Sequence, residues 1–346
     1  MVLRSGNRRK SSSRNSIRAT GWLALLMAQY HSLNDISLHS AWLTIGIFDG
    51  VHRGHQEILQ LLVSSAHADG EPAVVLTFTP HPAIILGGKT DFKCLTTPDE
   101  HAALLGLYGV DTIITQSFDR MFANQTAVEF MRLLSRNLGL RHLLIGYDTA
   151  LGRDREASAT RLTEIGKQMG YTVQVVPPLK DQAGIISSTR IRADVTAGNV
   201  AAAASALGRC YSLTGPVIHG DGRGHTLNLP TANIQIPASK VLPAYGIYAC
   251  RAWIKERAYP AATSIGVRPT FYSSDPPAPT IEAHLLDFNG DLYGQTVKLE
   301  FVEYLRPEEK YATVEALLAQ ISLDINKTRE IVIQSTMPNP FPILCP

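Results

Sequence analysis

Two imidazoles stand three residues apart in GIFDGVHRGHQ, Gly46 to Gln56, with Gly54 between them and a hydrophobic run just before. His52 and His55 in this arrangement suit phosphate chemistry, because an imidazole N–H can donate to oxygens that gain negative charge during group transfer. Gly50 and Gly54 leave space for a phosphate near the backbone. A helix starting here adds free N–H groups and a partial positive charge, at the strand ends where open α/β sheets bind ligands. A single loop histidine is usually a packing residue; the HxGH spacing at a strand-to-helix junction argues for a ligand.

A second constellation is IISSTRIR, where Ser187, Ser188 and Thr189 precede Arg190 and Arg192. Hydroxyls at a helix start cap it or bind phosphate, and a guanidinium grips phosphate with two parallel hydrogen bonds. Alone, SSTR is an ordinary N-cap; with HxGH upstream it forms the opposite wall of a triphosphate site. Asp49 is either part of that site or a turn-capping residue. A third stretch, GDGRGHTLNLPTANI, is glycine-rich at Gly220, Gly222 and Gly224 around Arg223, and leads to Thr231 and Asn233. In TIEAHLLDF, strand alternation puts Ile281, Ala283 and Leu285 on one side and Glu282 on the other. Without further context that glutamate reads as ordinary surface polarity.

The elements that must position these residues fall into two textures. From Leu43 to about Pro178, β-rich runs (LTIGIF, AVVLTFT, DTIITQS, HLLIG) alternate with helix-period segments, which implies a parallel sheet with crossover helices. In the segment after His55, Ile58, Leu62 and Ala66 fall four apart, with Leu59 and Val63 in the adjacent row, as one buried helix face requires. After about residue 208, GIYACRAWI, TIEAHLLDF and TVKLEFVEYL follow one another between turn residues, which suggests an antiparallel barrel or sandwich. Val314, Leu317, Leu318, Ile321 and Ile325 form an apolar helical stripe expected to pack over an open end of the barrel. The tail STMPNPFPILCP is expected to be irregular.

With 346 residues, 45% hydrophobic and 18% charged, the chain is long enough for two globular domains. The net charge is +2, but Arg4, Arg8, Arg9, Lys10, Arg14 and Arg18 lie in an acid-free N-terminal stretch, so the rest is net negative. That balance gives no support to nucleic-acid binding by the body of the protein. No apolar run approaches the roughly 18 residues that cross a bilayer. Cys94, Cys210, Cys250 and Cys345 show neither zinc spacing nor a disulfide framework, which fits a reducing, cytoplasmic setting. The N-terminal stretch resembles a transit peptide in composition, and its basic start before WLALLMA resembles a signal sequence. The preferred reading is a start at Met27, or an unordered tail before it. Nothing argues for a particular oligomeric state.

HxGH with a downstream SSTxxR resembles the nucleotidylyltransferase superfamily. GIFDGVHRGHQ, VLTFTPHP, CLTTPDE, SFDRMFANQTAVEF, ISSTRIR, GRGHTLNLPTANI and DLYG together resemble the bifunctional bacterial riboflavin kinase/FMN adenylyltransferases, or FAD synthetases, from about Leu43 to Ile325. The resemblance implies a Rossmann-like α/β nucleotidylyltransferase domain over residues 42–195, then an antiparallel β-barrel riboflavin kinase domain with a C-terminal helix over 196–330. Residues 1–41 are left as an N-terminal extension and 331–346 as a tail.

It also implies small-molecule partners: riboflavin, FMN, FAD and ATP. In the first domain FMN would attack the α-phosphorus of ATP, with His52 and His55 stabilising charge and Arg190 taking the leaving pyrophosphate beside Ser187, Ser188 and Thr189. Gly46, Phe48, Asp49, Gly50 and Gly54 would line the nucleotide. In the second, Gly220, Gly222, Arg223 and Gly224 would surround ATP, Thr231 and Asn233 would hold Mg²⁺, and Glu282 would be the catalytic base. The chain departs from the family pattern at GYDTALG, Gly146 to Gly152, where family members read GxDFRFG; at Asn228-Leu229 before PTAN; and at Thr79 before PHP. Three alternatives follow: a riboflavin kinase with weak or lost adenylylation, a nucleotidylyltransferase with another acceptor, and a flavin-binding regulator without turnover.

Overall fold

The computed structural model describes residues 27–89, 91–220, 230–267 and 279–335. Gly222, Arg223, Gly224, Asn228, Leu229, Cys345 and the segments 1–26 and 336–346 lie outside the described residues.

The first domain runs through β1 (Ala28–Tyr30), β2 (Ala41–Ile45), α1 (Arg53–Ala68), β3 (Ala73–Thr79), α2 (Pro82–Gly87), α3 (Pro98–Leu107), β4 (Thr112–Ser117), α4 (Arg120–Ala123), α5 (Ala127–Leu138), β5 (Leu140–Gly146), α6 (Ala159–Met169) and β6 (Thr172–Val176). The six strands form one parallel sheet in the order β1-β4-β3-β2-β5-β6. Two apolar layers cover it: Ile58, Leu59, Leu62 and Leu105 are in one, and Phe130, Leu134, Leu162 and Ile165 in the other. The stripe read from the sequence is therefore the buried face of α1, with Ile58, Leu59, Leu62 and Ala66 enclosed. The chain steps outward from β2 through β3 to β4, then returns to the other side of β2 as β5. Strand order reverses between β2 and β5, so the loops after both open on the crevice where such sheets bind ligands.

The N-terminal boundary needs correcting. Residues 28–41, assigned to the extension, are packed into this domain: β1 pairs with β4, Ala41 opens β2, and Leu33 and Ile36 are buried. The Leu33 amide donates to Gln116 Oε1 at 2.9 Å, and Asn137 Nδ2 donates to the Leu33 carbonyl at 2.7 Å. A three-residue strand is too short to show an alternation of its own.

After a small hairpin, β7 (Lys180–Asp181) and β8 (Gly184–Ile185), two helices, α7 (Ser188–Thr196) and α8 (Val200–Leu207), lead to the second domain. There β9 (Tyr211–Ile218), β10 (Ala232–Ile234), β11 (Gly246–Ile254), β12 (Arg257–Val267), β13 (Pro279–Leu285) and β14 (Thr296–Arg306) close an antiparallel barrel in the order β10-β13-β12-β11-β14-β9. Alternate residues fill it, among them Tyr248, Cys250, Ala261, Ile265, Leu299 and Phe301. The last helix, α9 (Val314–Gln334), packs across β11, β12 and β14. It lies on the barrel's outer face and not over an open end. Ala249, out of phase with the interior Tyr248 and Cys250, is fully buried, and Asp324 pairs with Arg306 of β14 at 2.7 Å.

Candidate active sites

The loop from Gly46 to His52 connects β2 to α1 in a conformation few side chains adopt: Phe48, Gly50 and Val51 have φ of 52°, 79° and 39°. Phe48 and Val51 are nonetheless buried, and tertiary contacts hold the turn. Asp49 is the principal one. Its Oδ1 accepts from the Leu95 and Thr96 amides at 2.9 and 3.1 Å and from the Thr96 hydroxyl at 3.2 Å; its Oδ2 pairs with Arg192 at 2.7 Å. Both oxygens accept from protein donors, so the Asp49 carboxylate ties the loop to residues 95 and 96 and to Arg192.

His52 is the N-cap of α1, its Nδ1 accepting from the His55 amide at 3.3 Å. An accepting Nδ1 leaves the neutral ring's proton on Nε2, where it is a donor. The two imidazoles stack with centroids 3.5 Å apart, and the Phe48 ring meets His55 edge-on at 5.1 Å. Burial pulls the His52 pKa down to about 4, with Asp49 opposing and Arg209 reinforcing. Burial, then the neighbouring His52, lowers that of His55. Both rings are therefore uncharged at neutral pH in the free protein.

The glycines have reasons more local than phosphate access. A Cβ on Gly50 would come within 2.8 Å of Leu95 Cδ1 in a backbone conformation that already favours glycine. A Cβ on Gly54 would press on the His52 ring at 3.3 Å, and one on Gly46 on the Phe48 ring at 3.0 Å. Gly46, Phe48 and Gly50, expected as nucleotide contacts, thus shape the bed on which His55 and His52 rest.

The N-terminus of α7 meets this loop. Ser187 caps the helix, accepting from the Arg190 amide at 3.3 Å, and the Ser188 hydroxyl donates to the Asp49 carbonyl at 2.8 Å. Two helix N-termini, of α1 and α7, are so brought to one place. Thr189 is exposed and accepts from Arg192 at 3.4 Å. Arg190 stays close enough to His52 to act on it electrostatically, and its guanidinium pairs with Asp181 of β7 and donates to the Gly184 carbonyl at 3.2 Å. That contact holds the Asp181 carboxyl below the usual range. Arg192 also reaches the HxGH loop, lying over the Phe92 ring at 4.8 Å while it pairs with Asp49. The SSTxxR spacing itself ends on Arg192, so the sequence held that signal; the Asp181 partner of Arg190 comes from the β7–β8 hairpin, which no motif marks. The Gly146–Gly152 segment follows β5 into the same crevice, with Tyr147 exposed and Arg155 donating to the Asp148 carbonyl at 2.8 Å.

A separate cleft of about 260 Å³ opens on the barrel, lined by Gly220, Thr231, Asn233, Phe288, Asp291 and Tyr293 among others. A Cβ on Gly220 would sit 2.2 Å from Asn233 Nδ2, so any larger residue there would push the Asn233 amide aside. Asn233 and Glu282 are direct cross-strand partners, and Ala232 pairs with Ala283. Directly opposed residues share a face, so Asn233 and Glu282 project together while the alanines turn inward, as the alternation predicts. His284, two residues on, donates its Nδ1–H to the Pro230 carbonyl at 2.9 Å and steadies the entry to Thr231. Thr231 and Asn233 offer hard oxygen donors of the kind Mg²⁺ takes, and the glycine-covered Asn233 amide is consistent with such a site. Gly222, Arg223 and Gly224 fall outside the described residues.

With both geometries in view, the chain can be set beside known proteins. The FAD synthetase family model matches residues 35–190, and the Riboflavin kinase model matches residues 207–332. The chain is 34% identical to the bifunctional riboflavin kinase/FMN adenylyltransferase of Bacillus subtilis, over 82% of this chain and 89% of that protein. It is 36% identical to the Pseudomonas fluorescens protein of the same name, over 84% and 93%. A solved structure named Macrolide-efflux Protein, from Streptococcus pneumoniae, is 32% identical with a TM-score of 0.81, covering 88% of this chain and 99% of that one.

Proposed function

The chain belongs to the bifunctional riboflavin kinase/FMN adenylyltransferase family, and from that premise we propose how its two sites divide the conversion of riboflavin to FMN and of FMN to FAD. The observation that carries the proposal is the pairing of two motif sets on separate domains: stacked His52 and His55 at the sheet's switch point, and Asn233 beside Glu282 on the barrel.

In the first domain a phosphate oxygen of FMN attacks the α-phosphorus of ATP, the bond to the β-phosphate oxygen breaks, and pyrophosphate leaves. His52 Nε2–H and the His55 ring donate to oxygens on which charge builds, and the N-termini of α1 and α7 add their unpaired amides. Neutral imidazoles act here as fixed dipoles that need no reorganisation as charge develops. Ser188, Asp49 and Arg192 hold the loop in place; Arg190 supports the hairpin beside it.

In the barrel the riboflavin 5′-hydroxyl attacks the γ-phosphorus of ATP, Glu282 accepts its proton, and ADP leaves. Thr231 and Asn233 would hold Mg²⁺, which supplies positive charge to the ATP phosphates when bound. The partners inferred are riboflavin, FMN, FAD and ATP, without nucleic acid. No helix among the described residues is long and apolar enough to cross a membrane. The free thiols of Cys94, Cys210 and Cys250 support a cytoplasmic setting.

Titrating Mg²⁺ into the kinase reaction tests the metal assignment. Thr231→Ala is expected to raise the half-saturating Mg²⁺ by about tenfold or more, since even indirect ligand support changes metal affinity by that much. Adenylylation at fixed Mg²⁺ should not respond. An unchanged Mg²⁺ curve would remove Thr231 from the metal site.

A further inference from the structure

Arg209 belongs to neither motif set. It lies in the three-residue connection between α8 and β9, where the chain enters the barrel, and its guanidinium turns back toward the first domain. Nη2 donates to the Gly50 carbonyl at 2.6 Å, and Nη1 to the Val51 and Leu207 carbonyls at 3.2 and 3.3 Å. Gly50 and Val51 are the two positive-φ residues immediately before His52. Gln56, one turn into α1, donates to the same Val51 and Leu207 carbonyls at 2.8 and 2.7 Å. The strained loop thus has its carbonyls fixed by a cation carried at the barrel's entry, just before β9, through charge-assisted bonds stronger than neutral ones.

The opposite flank of the loop is also tied to the barrel side. The Cys94 amide donates to the Ser239 carbonyl at 2.8 Å, and the Val241 amide to the Cys94 carbonyl at 2.9 Å. The next two amides, of Leu95 and Thr96, are those that bind Asp49. Residues 49 to 51 are therefore gripped on both sides by segments anchored in the second domain.

We propose that Arg209 is a positioning residue for adenylyl transfer: from the domain junction it sets the backbone that presents His52 and His55, without itself touching the nucleotide. The proposal rests on reading His52 and His55 as the adenylyl-transfer site. Removing the guanidinium keeps both histidine side chains but takes the donor from the Gly50 carbonyl and leaves the Val51 carbonyl to Gln56, so the loop that presents the imidazoles shifts. A displacement of about 1 Å costs on the order of 10²-fold in rate.

The experiment uses full-length Arg209→Gln and Arg209→Lys, with both activities measured at steady state. Arg209→Gln is expected to lower kcat for FMN adenylylation by about 10- to 100-fold, leaving the KM for FMN and riboflavin phosphorylation unchanged. Arg209→Lys, which keeps the charge but reaches fewer carbonyls, should retain more activity. The kinase rate is an internal control, since Arg209 adjoins the first barrel strand. Parallel loss of both activities would make Arg209 a folding residue and overturn the proposal, as would full adenylylation by Arg209→Gln. His55→Ala, measured alongside, separates the two readings. If it abolishes adenylylation while Arg209→Gln does not, the positioning role alone fails; if it retains adenylylation, the site itself is wrong.

Discussion

Replacing His55 with alanine is expected to lower FMN adenylylation by about 10²- to 10³-fold, the usual cost of removing one donor aimed at developing charge. Phosphorylation of riboflavin by the same chain should continue at its normal rate. His55 stacks on His52 and is braced edge-on by Phe48, and its amide is the group that caps onto His52 Nδ1. The alanine keeps that amide, so α1 still starts at the same residue and the loss isolates the ring. Burial keeps both imidazoles neutral, so the free protein should show no titration of either ring near pH 6.5. NMR titration of the ring protons checks this independently of turnover. A His55→Ala protein that still made FAD from FMN at full rate would place adenylyl transfer elsewhere.

Glu282→Gln is expected to have the opposite pattern: FMN formation falls by about 10²- to 10⁴-fold, the range for a lost general base, and adenylylation of supplied FMN is untouched. The substitution preserves size and removes only the ability to take the riboflavin hydroxyl proton. The cross-strand pairing of Glu282 with Asn233 places the carboxylate on the face that carries the metal-binding candidates, and its inward neighbours Ile281 and Ala283 are buried and unaffected. Chromatography of riboflavin, FMN and FAD after incubation with ATP and Mg²⁺ reads both steps at once. Equal loss of both activities would contradict two separate sites.

Periodicity carried much of the architecture. The α1 stripe and the inward Ile281, Ala283 and Leu285 are where 3.6- and 2-residue spacing put them, because those residues face one continuous core. What escaped was decided by tertiary contact. β1 has three residues and no pattern of its own; it is a strand because β4 offers an open edge. Burial of α9 follows Asp324, Thr328 and Val332, while Val314, first in the apolar stripe, is mostly exposed. That apolar stripe therefore misjudged where the helix lies. HxGH was legible in the sequence, but the contacts of its surroundings were not: the donors on the two Asp49 oxygens, Leu95, Thr96 and Arg192, are distant in the chain and meet it only in the fold. Arg209 had no signal in the sequence, since a single arginine after Gly208 acquires meaning only when the barrel folds back on the loop.

Thr149, Ala150 and Leu151, where the chain departs from the family pattern, follow β5 in the first domain, so an effect of the departure is expected on adenylylation. The most direct test of two sites working in sequence is a time course of the purified full-length protein with riboflavin, ATP and Mg²⁺. FMN is expected to rise first and then to be converted to FAD with release of pyrophosphate. FMN accumulating without FAD, even when FMN is the starting substrate, would contradict it.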